Sequence, residues 1–166
     1  MSTKKKVRFE PFRPDLVVEN FDCGDERLNT YLKKRLIKDQ AAKACAGHCL
    51  IDSDTKEVLG FYTLSSSEVD KEKADTNYPY QKVPVTRLGR LALHVNLQGR
   101  GQGINLVAHA MMKVASISND TGVYALVVDA VRNKIQFYNR AGFVVIEDNP
   151  GSRTVFMALK VADFST

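Results

Sequence analysis

Residues 91–104 read Leu-Ala-Leu-His-Val-Asn-Leu-Gln-Gly-Arg-Gly-Gln-Gly-Ile, an apolar strand that runs into a glycine-rich turn and opens a helix. A turn of this kind aims several backbone N–H groups at one point, with the positive end of the helix behind them. Glycines at 99, 101 and 103 let the backbone approach an anion without a Cβ in the way. The chemistry this suits is the holding of a pyrophosphate. A tight strand-to-helix turn with no ligand is the competing reading. Two common phosphate loops do not fit. A Walker loop ends in Gly-Lys-Ser/Thr, and Ile104 follows Gly103. A dinucleotide fingerprint needs a third glycine where Leu106 stands, and belongs near the first strand of a fold.

Few other groups offer themselves for chemistry. His94, Glu68 and Asp129 sit at strand ends, where each is a candidate general base or an ordinary structural residue. None has a partner that makes the case for a base. Cys45-x-x-x-Cys49 with His48 invites a metal reading, but a zinc site wants four ligands in tighter, paired spacing, and no second pair exists. The expectation is therefore no metal and buried cysteines.

A mixed α/β scaffold must position the glycine turn. Residues 7–12 read as a strand closed by Pro14. Residues 25–43 read as one helix, with Leu28, Tyr31, Leu32 and Leu36 on one face, Lys33, Lys34 and Lys38 elsewhere, and Asp22 or Asp25 as cap. Residues 48–52 and 58–65 form an expected hairpin around Ser53-Asp54-Thr55-Lys56, and residues 70–82, with Asn77 and Pro79, an expected loop. Residues 86–95 are an apolar strand whose Gly89 suggests a bulge or a close backbone approach. A helix over 103–117 turns Leu106, Val107, Ala110, Met111 and Val114 inward. Residues 122–129 read as a strand buried on both faces, and 132–141 as a short helix stopped by Gly142. Two last strands, 143–147 and 153–161, meet around Asn149-Pro150-Gly151.

Gln98-x-x-Gly101-x-Gly103 resembles motif A of the GNAT superfamily of acyl-CoA-dependent N-acetyltransferases. Downstream, Phe137-Tyr138-x-x-x-Gly142-Phe143 looks like the family's motif B segment, with the intervening elements in the family's order. The resemblance covers roughly residues 58–161. It implies a single GNAT-like domain over 1–166, with a mixed, mostly antiparallel sheet of about six to seven strands, splayed at the cofactor site and flanked by about four helices. It implies acetyl-CoA as co-substrate, held by Leu91, Ala92, Leu93, Gln98, Gly99, Arg100, Gly101, Gln102, Gly103, Ile104, Phe137 and Tyr138. It also implies direct attack of an amine on the thioester, with N–H donors of residues 91–93 facing the developing oxyanion and Tyr138 as the catalytic acid for the leaving thiolate. The sequence departs from the family at one point. Many members carry asparagine seven residues before the tyrosine; here Val131 stands there, with Asn133 two positions on.

Length, charge and composition bear on the partner. The 166 residues suit one domain, and 44% hydrophobic with 26% charged residues is ordinary for a globular chain. No apolar run is long enough to span a membrane. Residues 1–14 are basic without an apolar run, so no secretory signal is expected. Three cysteines suit a reducing cytoplasm. The net charge is +5, and residues 76–119 hold five basic residues and no acidic one. A polyamine or aminoglycoside acetylase should present carboxylates there; a basic face suits RNA.

A second similarity points the same way. Phe21-Asp-Cys-Gly-Asp-Glu-Arg-Leu28, Gly60-Phe-Tyr62 and Val83-Pro-Val85-x-x-Leu88-x-Arg90-Leu91-Ala92 are similar to the GNAT toxins of toxin–antitoxin pairs. That group acetylates the α-amine of aminoacyl-tRNA. An α-amine, with pKa near ~7.7–8.0 against ~10.4 for a lysine, loses its proton without a dedicated base. The similarity implies aminoacyl-tRNA as substrate, contacted by Arg87, Arg90, Lys33, Lys34 and Lys38, and a ribbon-helix-helix antitoxin as partner, with a homodimer possible. The alternative is acetylation of a protein or small-molecule amine without a toxin role.

Overall fold

The apolar runs of the sequence become seven strands in the computed structural model, which describes residues 6–165. They are β1 (Val7–Pro11), β2 (Ala46–Asp52), β3 (Val58–Asp70), β4 (Lys82–Leu93), β5 (Ala125–Val131), β6 (Val144–Glu147) and β7 (Thr154–Lys160). The helices are α1 (Glu26–Thr30), α2 (Leu36–Ala41), α3 (Gln102–Ile117) and α4 (Ile135–Arg140). The sheet is mostly antiparallel, in the order β1-β2-β3-β4-β5-β7-β6, with β4 and β5 parallel. The start of the segment read as lacking a secretory signal, residues 1–5, lies outside the described residues. Among the described residues no helix is long and apolar enough to cross a membrane. By contacts the chain divides into two units, the first ending at Leu64 and resuming over Arg90–Leu106, the second formed by residues 65–89 and 107–165.

In the first unit β1 pairs antiparallel with β2, and β2 with β3, around a bulge between Leu50 and Ile51. Tyr31, Leu32 and Leu36 pack with Phe12, Phe21, Cys49 and Phe61 into its core. The helix expected over 25–43 is there but not uniform. Asp25 caps α1, its carboxylate accepting the Arg27 N–H. Tyr31–Arg35 then forms a π-helical turn, in which the Leu36 N–H donates to the Tyr31 carbonyl, before α2 resumes. Both apolar spacings satisfy the same buried stripe, so periodicity does not separate them. Gly47 explains how closely β2 passes the helix: a Cβ there would lie 2.9 Å from Leu36 Cδ2 and 3.0 Å from Phe12 Cβ. Gln40 binds the same junction, donating to the Phe12 carbonyl and accepting the Gly47 N–H, each at 2.8 Å.

In the second unit the parallel ladder runs from Val85↔Ala125 to Leu88↔Val128, and β4 continues past it to Leu93. β7 pairs antiparallel with both β5 and β6. Val83, Val85, Ala125, Val127, Phe156 and Ala158 form one buried face. Two strands are longer than expected. β3 runs through Ser65, Ser66 and Ser67, and β4 begins at Lys82, because sheet neighbours carry polar residues in extended form whatever their propensity. The expected loop between them holds only a short 3-10 turn at Lys71–Lys73. It is anchored by Asp75, which accepts from the Tyr124 hydroxyl, the Asn77 N–H and Lys160 Nζ.

Candidate active site

The glycine turn forms at the end of β4, within the first unit. Leu91 is half-buried, and Ala92 and Leu93 are buried. His94 donates its backbone N–H to the Leu59 carbonyl at 2.8 Å and caps the 3-10 turn Val95–Leu97. Gln98 then closes the turn with its side chain. Its amide nitrogen donates to the Leu93 carbonyl and to the Cys23 carbonyl, both at 2.8 Å. Gln98 therefore shapes the loop: its amide protons are committed to the protein's own backbone. Gly99 and Gly101 both adopt φ +76, the left-handed region, with open space where a Cβ would point. Arg100 between them is exposed, and α3 begins at Gln102, with Gly103 half-buried and Ile104 exposed. The first N–H groups of α3 have no partner within the helix, and alternating left-handed residues ahead of it make a concave nest for an anion. The residues present fit the pyrophosphate of a CoA thioester.

His94 has both ring nitrogens engaged. Its Nδ1 accepts the Asn96 N–H at 3.1 Å, and its Nε2 lies 3.2 Å from the Asn20 carbonyl. That pattern needs a neutral ring protonated at Nε2, with both nitrogens engaged. Asp129 is engaged too, in an ion pair with Arg87. Glu68 is exposed on β3.

Tyr138 and Phe137 lie in the second unit, on α4, which Gly142 stops at φ +108. Tyr138 is 8% exposed, edge-on to Phe137 and Phe143 at 5.0 and 5.5 Å between ring centroids. Burial pushes its phenol up to about 12. A group so placed keeps its proton across the neutral range, as a general acid must. Val131 and Asn133 are both exposed.

The structure separates cations that look alike in sequence. Lys82 and Arg87, in the acid-free stretch, are neutralised from outside it, by Asp70 and Asp129. Arg90 is exposed and its Cζ lies over the Tyr31 ring, 3.6 Å from the ring centroid. Lys33, Lys34 and Lys38 are exposed on the helix that carries Tyr31. Arg90, residues 91–104 and these lysines belong to the first unit; Arg87, Phe137 and Tyr138 belong to the second. Sequence reasoning missed the Gln98 tie, the Asp129 pairing and the Tyr31 platform. Each joins residues far apart in the chain, and no local spacing signals them. Cys49 is buried, and burial pushes its thiol up to about 12; Cys45 and Cys23 are half-buried. Among the described residues no group of three or more His, Cys, Asp or Glu is arranged to hold a metal.

Comparison with known proteins gives this geometry its setting. The model of the acetyltransferase (GNAT) family matches residues 12–143. A tRNA-acetylating toxin of Mycobacterium tuberculosis is 30% identical over 138 residues, which is 80% of this chain and 81% of the relative. The solved structure of AtaT complexed with acetyl-methionyl-tRNAfMet aligns at a TM-score of 0.85 and 30% identity, over 95% of this chain and 96% of that one. A tyrosine-to-phenylalanine mutant of the AtaT toxin, bound to acetyl-CoA and the C-terminus of the antitoxin AtaR, aligns at 0.80 and 30%, over 95% and 94%.

Proposed function

The chain belongs to the acetyltransferase (GNAT) family, and we propose that it is a toxin that uses acetyl-CoA to acetylate the α-amine of aminoacyl-tRNA and so blocks translation. What carries this reading is likeness over 80% of the chain to a tRNA-acetylating toxin, and over 95% of it to AtaT in complex with acetyl-methionyl-tRNAfMet. The exposed cations Arg90, Lys33, Lys34 and Lys38 support it. Residues 1–166 act as one GNAT-type domain in the cytoplasm.

When bound, acetyl-CoA supplies the acetyl group as an activated thioester. The turn at 98–104 holds the pyrophosphate on backbone N–H groups, with Arg100 beside it and Gln98 fixing its shape. Backbone N–H groups of Leu91, Ala92 and Leu93 stabilise negative charge on the acyl oxygen. Phe137 packs against Tyr138, and the Tyr138 hydroxyl holds a proton for the departing sulfur. No side chain is needed to deprotonate the amine, since about a tenth of an α-amine with pKa near ~8 is already neutral at pH 7, against far less than a hundredth of a lysine. That agrees with the engaged state of His94 and Asp129. Arg90, Arg87 and the helix lysines meet tRNA phosphates, with Arg87 weakened for this by its ion pair. A ribbon-helix-helix antitoxin neutralises the chain, which acts as a homodimer.

Expression in cells tests the toxin reading. Induction of the wild-type chain arrests growth with N-acetylated aminoacyl-tRNA accumulating, and Tyr138→Phe relieves both. Arrest that persists in Tyr138→Phe, or occurs with no acetylated tRNA, contradicts the reading.

A further inference from the structure

Arg90 is held unlike the chain's paired arginines. Its backbone N–H donates to the hydroxyl of buried Thr63 at 3.1 Å, which fixes the start of the side chain. Its guanidinium lies on the Tyr31 ring at 3.6 Å, and among the described residues it makes no ion pair. The ring is itself a fixed platform. It is 4% exposed, packs against Phe61, and donates its hydroxyl to Asp39 Oδ2 at 2.8 Å. The π-helical turn begins at this tyrosine and carries exposed Lys33, Lys34 and Arg35. π-turns recur where a helix must place a functional side chain.

We propose that Tyr31 is a positioning residue that holds the Arg90 guanidinium ready to clasp one phosphate of the tRNA substrate. A guanidinium stacked by its face keeps its in-plane N–H donors at the edge, where they match two oxygens of a phosphate. Stacking also removes rotamer freedom before binding, so less is lost when the phosphate arrives. Arg87 is placed differently, because its Nη1 is already paired with Asp129 and its charge is partly neutralised there. The inference rests on aminoacyl-tRNA being the substrate, and adds which cation is preorganised and by what.

Steady-state acetylation of aminoacyl-tRNA tests it, with folding checked by circular dichroism. Arg90→Lys keeps the charge and loses the fork; Tyr31→Leu keeps the arginine and loses the platform. Each should raise KM for aminoacyl-tRNA by about tenfold, the scale of a partly desolvated cation–π contact, while kcat and KM for acetyl-CoA stay put. The double variant should be no worse than either single one, because both remove the same contact. Tyr31→Phe, which retains the ring but loses the bond to Asp39, should raise KM less than Tyr31→Leu does. Arg90→Ala should also flatten the salt dependence of binding by about one phosphate's share, a log–log slope of ~0.7–0.9. If Tyr31→Leu fails to fold, Tyr31→Met fills the space with an unbranched chain and makes the same comparison.

Independent, multiplying effects of the two substitutions overturn the inference, as does Tyr31→Phe behaving like Tyr31→Leu. So does loss of antitoxin binding with tRNA kinetics unchanged, which would make Arg90 a protein contact. A wild-type chain that acetylates aminoacyl-tRNA while Arg90→Lys matches it removes the clasp alone. A wild-type chain that leaves aminoacyl-tRNA untouched removes the substrate reading and the clasp together.

Discussion

Tyr138 is the side chain on which the proposed chemistry turns. A phenol raised to about 12 by burial is protonated at every pH at which the enzyme would work. It therefore contributes no falling limb to the rate profile in the neutral and mildly alkaline range. kcat/KM should rise as the substrate amine loses its proton, around ~7.7–8.0, and then stay level to about pH 10. A decline centred between those values would assign the acid to another group. Tyr138→Phe should lower kcat by about 10²- to 10⁴-fold, the usual worth of a positioned acid, with the fold intact by circular dichroism. His94 illustrates the opposite outcome. Its place after the cofactor strand made it a candidate base, but a ring with both nitrogens engaged has no lone pair for a substrate.

Among the elements, the glycine turn was the most legible, and the reason is local. Only glycine adopts φ +76 without strain, so the backbone conformation is written in the residue type at 99 and 101. Gly101→Ala isolates that requirement, since an added Cβ meets nothing within 4 Å. The left-handed backbone alone should cost about 1–2 kcal/mol, appearing as weaker acetyl-CoA binding by calorimetry with little change in melting temperature. Unchanged affinity would show that the turn does not shape the cofactor site. The π-turn at Tyr31–Arg35 was illegible, because Leu28, Leu32 and Leu36 fall on one stripe with or without it. The ends of β3 and β4 were misplaced because sheet neighbours, not serine or lysine propensity, decide where a strand stops.

The loop between β3 and β4 carries its own prediction. The Tyr124 hydroxyl, the Asn77 N–H and Lys160 hold the Asp75 carboxyl down at about 2, below the usual ~3.9. A depressed folded-state value means stability present above the ordinary carboxylate range and lost as pH falls through about 2. Asp75→Asn should therefore flatten acid unfolding between about pH 4 and pH 2, followed by tyrosine fluorescence. A variant whose acid unfolding overlays the wild type would show that the anchor does not matter.

Over the molecule as a whole, the charge of +5 is less informative than its pairing. The stretch 76–119 lacks acidic residues in sequence, yet Asp70 and Asp129 reach Lys82 and Arg87 from outside it. Arg90 and Arg100 make no ion pair among the described residues, one on the Tyr31 platform and one in the glycine turn. That distribution suits two phosphate-bearing substrates better than a cationic amine. The deciding measurement is transfer of label from acetyl-CoA by the purified wild-type chain to total aminoacyl-tRNA, beside a panel of free polyamines, aminoglycosides and lysine-containing proteins. Label on the α-amine of aminoacyl-tRNA, strongly preferred over every free amine and slowed at least about a hundredfold in Tyr138→Phe, is the predicted result. Label that goes to the free amines or protein lysines while aminoacyl-tRNA stays unmodified would contradict it.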